Sequence, residues 1–215
     1  MNKPYNYNKA EFLNGIARLS QLPEDVGYEV AFAGRSNVGK SSALNAITNR
    51  RALARTSKTP GRTQQINLFT LDVERRLADL PGYGFAKVPN SVKKQWYALL
   101  ETYLQTRASL RGIIVFMDVR RPFMEFDVRM LDWCTESGVP TYIVLTKSDK
   151  LKRGPALAMV NTVKKRVIEE YGVITPRNGG LPEAIKVQLF SSLKKEGVAE
   201  VHAQLDYWLS IQNIK

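Results

Sequence analysis

The chain is poor in the residues that support redox and soft-metal chemistry. Its 215 residues contain one cysteine, Cys134, and one histidine, His202, which excludes an intramolecular disulfide framework and any multi-cysteine or histidine-rich zinc site. Any metal it uses should be a hard cation bound through oxygen. No apolar run reaches the roughly 18 to 20 residues that a bilayer-spanning helix needs, and the opening MNKPYNYNKAEF lacks the continuous apolar core of a signal peptide. These absences predict a cytoplasmic protein with no membrane partner. Acidic residues are also scarce: 20 Asp plus Glu face 32 Lys plus Arg, a net charge of +12. Such an excess repels itself within a folded domain, so a polyanionic partner is expected, nucleic acid or nucleoprotein. With 44% hydrophobic and 24% charged residues, the composition is that of one ordinary folded domain and not of a disordered chain.

Along the chain, Phe12, Ile16 and Leu19 recur at helical spacing, so residues 1–26 read as an arm with a helical turn, packed on a domain spanning 27–215. From Glu29 onward, apolar runs of strand length alternate with stretches of helical period: Val30 to Ala33, Ile66 to Leu71, Leu77 to Leu80, Ile113 to Met117, Tyr142 to Leu145 and Ile185 to Phe190. That alternation predicts an α/β fold with a mostly parallel six-stranded sheet and helices on both faces. Leu71 and Leu77 are so close in sequence that their strands should be antiparallel neighbours, giving one antiparallel edge. Trp96, Tyr97, Leu100, Tyr103 and Leu104 form an apolar helical stripe, more consistent with core packing than with base stacking, and Val198, Val201, Leu205, Trp208 and Leu209 form a closing one. Cys134 and His202 read as an inert thiol and a packed or surface imidazole.

The strongest chemical signal is Gly34-Arg35-Ser36-Asn37-Val38-Gly39-Lys40-Ser41, followed by Ser42. Glycine, four residues, then Gly-Lys-Ser is the phosphate-loop pattern, and here a strand enters it and a helix leaves it. Backbone N–H groups must converge on phosphate oxygens at a helix N-terminus, and glycines let the chain turn closely enough. Lys40 would neutralise the β- and γ-phosphates, and the Ser41 hydroxyl would bind Mg²⁺.

The phosphate loop does not select a base. Thr146-Lys147-Ser148-Asp149, at the end of a strand, supplies a carboxylate that can accept from both N1–H and the exocyclic amine of guanine, a donor pair adenine lacks. The Lys147 stem can lie over the purine face. Asp79-Leu80-Pro81-Gly82 puts a carboxylate where it could hold Mg²⁺ through water and an N–H where it could sense a γ-phosphate. Phe190-Ser191-Ser192 ends the last strand, where small residues allow backbone contact with the guanine carbonyl. Their order and strand-end positions favour GTP over ATP.

With these residues in view, the sequence resembles the translation-factor-type P-loop GTPases, and closely the EngB family (YihA/YsxC). The resemblance runs from about Gly27 to the C-terminus and rests on the phosphate loop, on Thr59-Pro60-Gly61-Arg62-Thr63-Gln64, and on Asp79-Leu80-Pro81-Gly82-Tyr83-Gly84-Phe85-Ala86. It implies a single Ras-like GTPase domain that binds GTP and GDP with Mg²⁺ and acts as a monomer in assembly of the large ribosomal subunit, through rRNA, with a role in septation. It also implies that Gly61, Arg62, Thr63, Gln64 and Gln65 belong to the nucleotide site, with Thr63 joining Ser41 on the metal; residue chemistry alone leaves Thr56, Thr59 and Thr63 as alternatives. Where many signalling GTPases have a water-orienting glutamine, this chain has Tyr83. Either hydrolysis is slow and a partner or cation supplies what is missing, or Tyr83 packs on the switch. Basic residues crowd Arg50, Arg51, Arg55, Lys58 and Arg62, then Arg107, Arg111, Arg120 and Arg121, then Lys150, Lys152 and Arg153, and finally Lys164, Lys165 and Arg166, an expected RNA-facing surface. The rival readings are a GTP sensor in a division complex, for which hydrolysis is incidental, and an ATP-dependent P-loop enzyme.

Overall fold

The computed structural model describes residues 5–54, 65–83, 90–179 and 181–210. In chain order the strands are β1 (Glu11–Ile16), β2 (Tyr28–Gly34), β3 (Ile66–Thr70), β4 (Arg75–Asp79), β5 (Leu110–Asp118), β6 (Thr141–Thr146), β7 (Val173–Ile174), β8 (Glu183–Ala184) and β9 (Lys186–Leu189). The helices are α1 (Lys40–Ile47), α2 (Asn90–Thr106), α3 (Glu125–Glu136), α4 (Arg153–Glu170) and α5 (Val198–Trp208). Strands β7 and β8 form a small separate hairpin.

The main sheet has seven strands in the order β1-β3-β4-β2-β5-β6-β9. From β4 across β2, β5 and β6 to β9 the pairing is parallel, and β3 pairs antiparallel with both β4 and β1. Thus β3 alone runs against the rest, as its short connection to β4 requires. The sequence reading of six strands is corrected by one: the segment holding Phe12 and Ile16 is a strand, with Ile16 opposite Ile66 and Phe12 opposite Phe69. Its helical spacing is coincidental, since Phe12 and Leu13 are exposed and only Ile16 is buried; a 3₁₀ turn follows at Leu19–Gln21. Strand β1 covers the β3 edge that a six-stranded sheet would leave open.

Alternation along each central strand divides the core in two. Ala31, Ala33, Ile113, Val115, Ile143 and Leu145 face one way, toward Leu100, Tyr103 and Leu104 of α2, Met130 and Leu131 of α3, and Val160, Val163 and Val167 of α4. Val30, Phe32, Ile114, Phe116 and Val144 face the other way, toward Ala43, Leu44 and Ile47 of α1 and Val201, Leu205 and Trp208 of α5. Helices therefore cover both faces, and the aromatic stripe of α2 is core. Cys134 is fully buried, which pushes its thiol up to about 12, and His202 Nε2 donates to Ile47 O (2.7 Å) while its ring stacks on Tyr7.

One deeply buried charge sits at the N-terminal end of the sheet. Glu29 accepts from Tyr103 (2.6 Å), Arg76 (3.2 Å) and Arg107 (3.2 Å). Arg107 is 3% exposed, so it belongs to this network and not to an RNA-facing surface. Arg111 lies over the ring of Tyr28 (5.0 Å).

Candidate functional site

The C-terminal ends of the parallel strands bring Gly34, Asp79, Asp118, Thr146 and, just past β9, Phe190 and Ser191 to one edge of the sheet. This is where open α/β sheets bind ligands.

After β2 the chain turns at Gly34, where a Cβ would lie 2.9 Å from Val38 Cγ1 and 3.0 Å from Phe116 O, so only glycine fits. Asn37 takes a left-handed conformation (φ 62°), which asparagine tolerates better than most residues. Gly39, with φ 105°, is the N-cap of α1. The first-turn N–H groups of a helix have no intrahelical acceptor and so face an anion; in α1 these belong to Lys40, Ser41 and Ser42. Lys40 is buried and its ammonium contacts the Asp79 carboxylate. Ser41 is half-buried and Ser42 exposed.

The segment after β4 lies against the loop. Ser36 N–H donates to Tyr83 O (2.9 Å), and a Cβ on Gly82 would sit 3.4 Å from Ser36 N. Leu80 and Pro81 are buried beneath. The Tyr83 hydroxyl is turned away into the core, donating to Asp127 Oδ1 of α3 (3.1 Å). Of the two readings of Tyr83, packing is the one its geometry matches. Asp127, which sequence reasoning missed, is 1% exposed. Burial raises its carboxyl to about 6, although Met124 N–H and Tyr83 donate to it.

The segments after β6 and β9 are equally ordered. The Thr146 hydroxyl donates to Val38 O (2.7 Å) and lies 3.1 Å from Met117 O, clamping the phosphate loop to β6. Lys147, left-handed at φ 60°, sends its ammonium back to Asn37 O (2.7 Å) and to Asp118 Oδ2 (3.1 Å). Ser148 is buried and its N–H donates to Phe190 O (3.1 Å). Asp149 Oδ1 accepts from the Ser191 hydroxyl (2.8 Å), the leading reason its carboxyl is held below the usual range. Phe190 is fully buried and Ser192 half-buried.

The structure thus brings together Gly34 through Ser42, Asp79 through Gly82, Thr146 through Asp149 and Phe190 through Ser192. Gly61, Arg62, Thr63 and Gln64 lie outside the described residues, as do Thr56, Thr59, Arg55, Lys58 and Gly84 through Ala86. Gln65 is exposed, with its carboxamide beside Gly15 of β1. Asp118 and Arg120 complete the site without having been singled out for it. Their signal is a carboxylate at the end of the strand paired in register with Thr146.

Comparison with known proteins agrees with this geometry. Residues 29–147 match the family model described as 50S ribosome-binding GTPase. The probable GTP-binding protein EngB of Nitrosococcus oceani is 53% identical over 95% of this chain and 97% of its own length, and its namesake from Shigella flexneri is 46% identical over 95% and 92%. Among solved structures, a probable GTP-binding protein EngB superposes with a TM-score of 0.64 at 19% identity, covering 86% of this chain and all of that one. Era in complex with MgGDPNP and a segment of 16S ribosomal RNA superposes with a TM-score of 0.62 at 17% identity, covering 85% of this chain and 57% of that one. A phosphate-loop motif at the end of β2, a shared fold and 53% identity over nearly the full length of a relative lead to one assignment: the chain is a GTPase and belongs to the EngB family of GTP-binding proteins.

Proposed function

We propose that this GTPase is a slow, Mg²⁺-dependent nucleotide switch that controls attachment to the maturing large ribosomal subunit and thereby supports septation. The observation that carries the reading is the convergence of the phosphate loop, Asp79 and Thr146-Lys147-Ser148-Asp149 on one sheet edge. In it, the N-terminus of α1 and Lys40 bind the phosphates, Asp149 reads N1–H and the exocyclic amine of guanine, and Lys147 lies along the purine.

Mg²⁺ suits the donors present. The Ser41 hydroxyl and, through water, the Asp79 carboxylate are hard oxygens that would hold it, and Thr63 is proposed to join them. When bound, the ion neutralises charge on the phosphates. Packing does not supply what a glutamine would: with its hydroxyl engaged by Asp127, Tyr83 leaves the position after Asp79-Leu80-Pro81-Gly82 without a water-orienting group, so hydrolysis is proposed to be slow as well.

Support for a ribosomal partner comes from the +12 charge, the description of the matching family, and the exposure of Lys152, Arg153, Lys164 and Lys165 on α4 and its approach. No described helix is long and apolar enough to cross a membrane. The deciding experiment is salt-dependent co-sedimentation with isolated ribosomal subunits. Binding to the large subunit should be stronger with a GTP analogue than with GDP, by about 5- to 150-fold. Binding that ignored the nucleotide would refute the switch.

A further inference from the structure

Beyond the residues already given roles, an ionic clamp borders the base end of the site. Asp118 is the last residue of β5 and pairs in register with Thr146 of β6, so its carboxylate emerges directly beside Lys147. Oδ2 lies 3.1 Å from the Lys147 ammonium and accepts from Arg120 Nη2 (2.7 Å), while Oδ1 accepts from Arg120 Nε (2.9 Å) and its backbone N–H (3.0 Å). Burial opposes the charge on Asp118, yet these hydrogen bonds outweigh it and hold the carboxyl well below the usual carboxylate range.

The other end of the clamp is backbone. The Lys147 ammonium donates to Asn37 O (2.7 Å), so a single cation ties the end of β5 to the phosphate loop. Fixed at its tip by Asp118 and Asn37, and at its root by a left-handed backbone, the side chain has its four-carbon stem stretched across the site. A Cβ on Gly39 would lie 4.0 Å from Lys147 Cε, which shows how closely the stem follows the loop. Without the Asp118 carboxylate, the ammonium would keep one neutral acceptor and stand near an unpaired guanidinium, an arrangement that drives the lysine into solvent.

We propose that Asp118 is a positioning residue for the base: by holding Lys147 against Asn37 it presents the aliphatic stem, and not the charge, to the purine. The proposal rests on the reading of Thr146 through Asp149 as the guanine site. It predicts a defect in nucleotide retention confined to the base end. Arg120, exposed and held to the same carboxylate, is the outer arm of the clamp.

The test uses the full chain and a fluorescent GDP, whose release is followed by stopped flow. Asp118→Ala and Lys147→Ala should each speed release by about tenfold, the effect of losing one charge-assisted contact. The double variant should release no faster than the faster single one, because both changes remove the same arrangement. The isosteric Asp118→Asn, with one acceptor oxygen left, guards against a folding defect and should fall between parent and Asp118→Ala. The ratio of affinities for GDP and a non-hydrolysable triphosphate analogue should stay at the parental value, since Asp118 acts away from the γ-phosphate; damage to the phosphate loop would move that ratio. Asp149→Asn is assayed alongside with xanthosine diphosphate. If it gains xanthosine binding while the Asp118 variants release GDP at the parental rate, or if the Asp118 and Lys147 effects multiply, the clamp is overturned and the base site stands. If Asp149→Asn gains nothing and Lys147→Ala is silent, the base site itself is wrong and the clamp falls with it.

Discussion

Lys40, the first residue of α1, and Asp79, the last residue of β4, meet as a buried ion pair. Each is the other's counter-charge in a place where neither could stand alone. Under the proposed function, a phosphate arriving at the loop would compete with Asp79 for the ammonium, and a metal would compete with Lys40 for the carboxylate.

Lys40→Ala should therefore weaken both GDP and GTP binding by about 1.5 to 3 kcal/mol, measured by calorimetry with Mg²⁺. Asp79→Asn should split by condition. In chelator it should bind GDP more tightly than the parent, by roughly three- to tenfold, because a competing anion has gone, whereas with Mg²⁺ its preference for the triphosphate should shrink. Parental binding by the Lys40 variant would remove the phosphate-loop assignment.

Base recognition gives a change of specificity. Asp149→Asn should lose GTP and gain xanthosine triphosphate, because an amide can donate to the carbonyl that xanthine carries where guanine has its amine. Competition between the two nucleotides on the variant is the measurement, and undiminished GTP preference would exclude Asp149 as the reader.

Ser191 holds one oxygen of Asp149 in place (2.8 Å). Ser191→Ala removes that hydrogen bond together with the one its hydroxyl accepts from Lys194 N–H (3.2 Å), and should weaken GDP by about 0.5 to 1.5 kcal/mol, without admitting xanthosine nucleotides. A larger loss, or a change of base preference, would mean that Ser191 does more than orient the carboxylate.

Asp127 sets a pH dependence whose sign is opposite to that of most carboxylates. Its folded-state value of about 6 lies above the ordinary 3.8. Between these two values the native chain holds a proton that the unfolded chain has released, so stability falls as pH rises through that window and the full penalty is present above it. For a shift of this size the change is about 3 kcal/mol. Urea unfolding of the parent and of Asp127→Asn at several pH values should give a difference that grows from pH 4 to about 6.5, the parent losing ground. A flat difference would show that Asp127 is ionised throughout.

The segments proposed for phosphate and guanine recognition were legible as motifs because each is contiguous in sequence, and the structure brings them to one sheet edge. Gly34 through Ser41 and Thr146 through Asp149 each carry a pattern that needs no distant partner. The antiparallel placement of β3 was also readable, from its short gap to β4. What escaped notice depends on pairing across the fold. β1 is a strand because β3 lies beside it, and its Phe12, Ile16 and Leu19 spacing argued for helix instead. The role of Asp118 needs the register between β5 and β6, and that of Asp127 needs α3 to lie under Tyr83. Arg107 looked like surface charge until its partner Glu29, far away in sequence, was placed.

Strand β1 has a consequence for the order of assembly. Its partner strand among the described residues, β3, begins at Ile66 and is therefore made well after it. A loop of this length must close before the pairing gains anything, and such closure is slow compared with local helix formation. Residues 11–16 must therefore wait, unpaired and carrying the apolar Phe12 and Leu13, while later residues are made. Once in place, β1 covers the side of β3 that faces away from β4, so a strand made before β3 joins the sheet only after it.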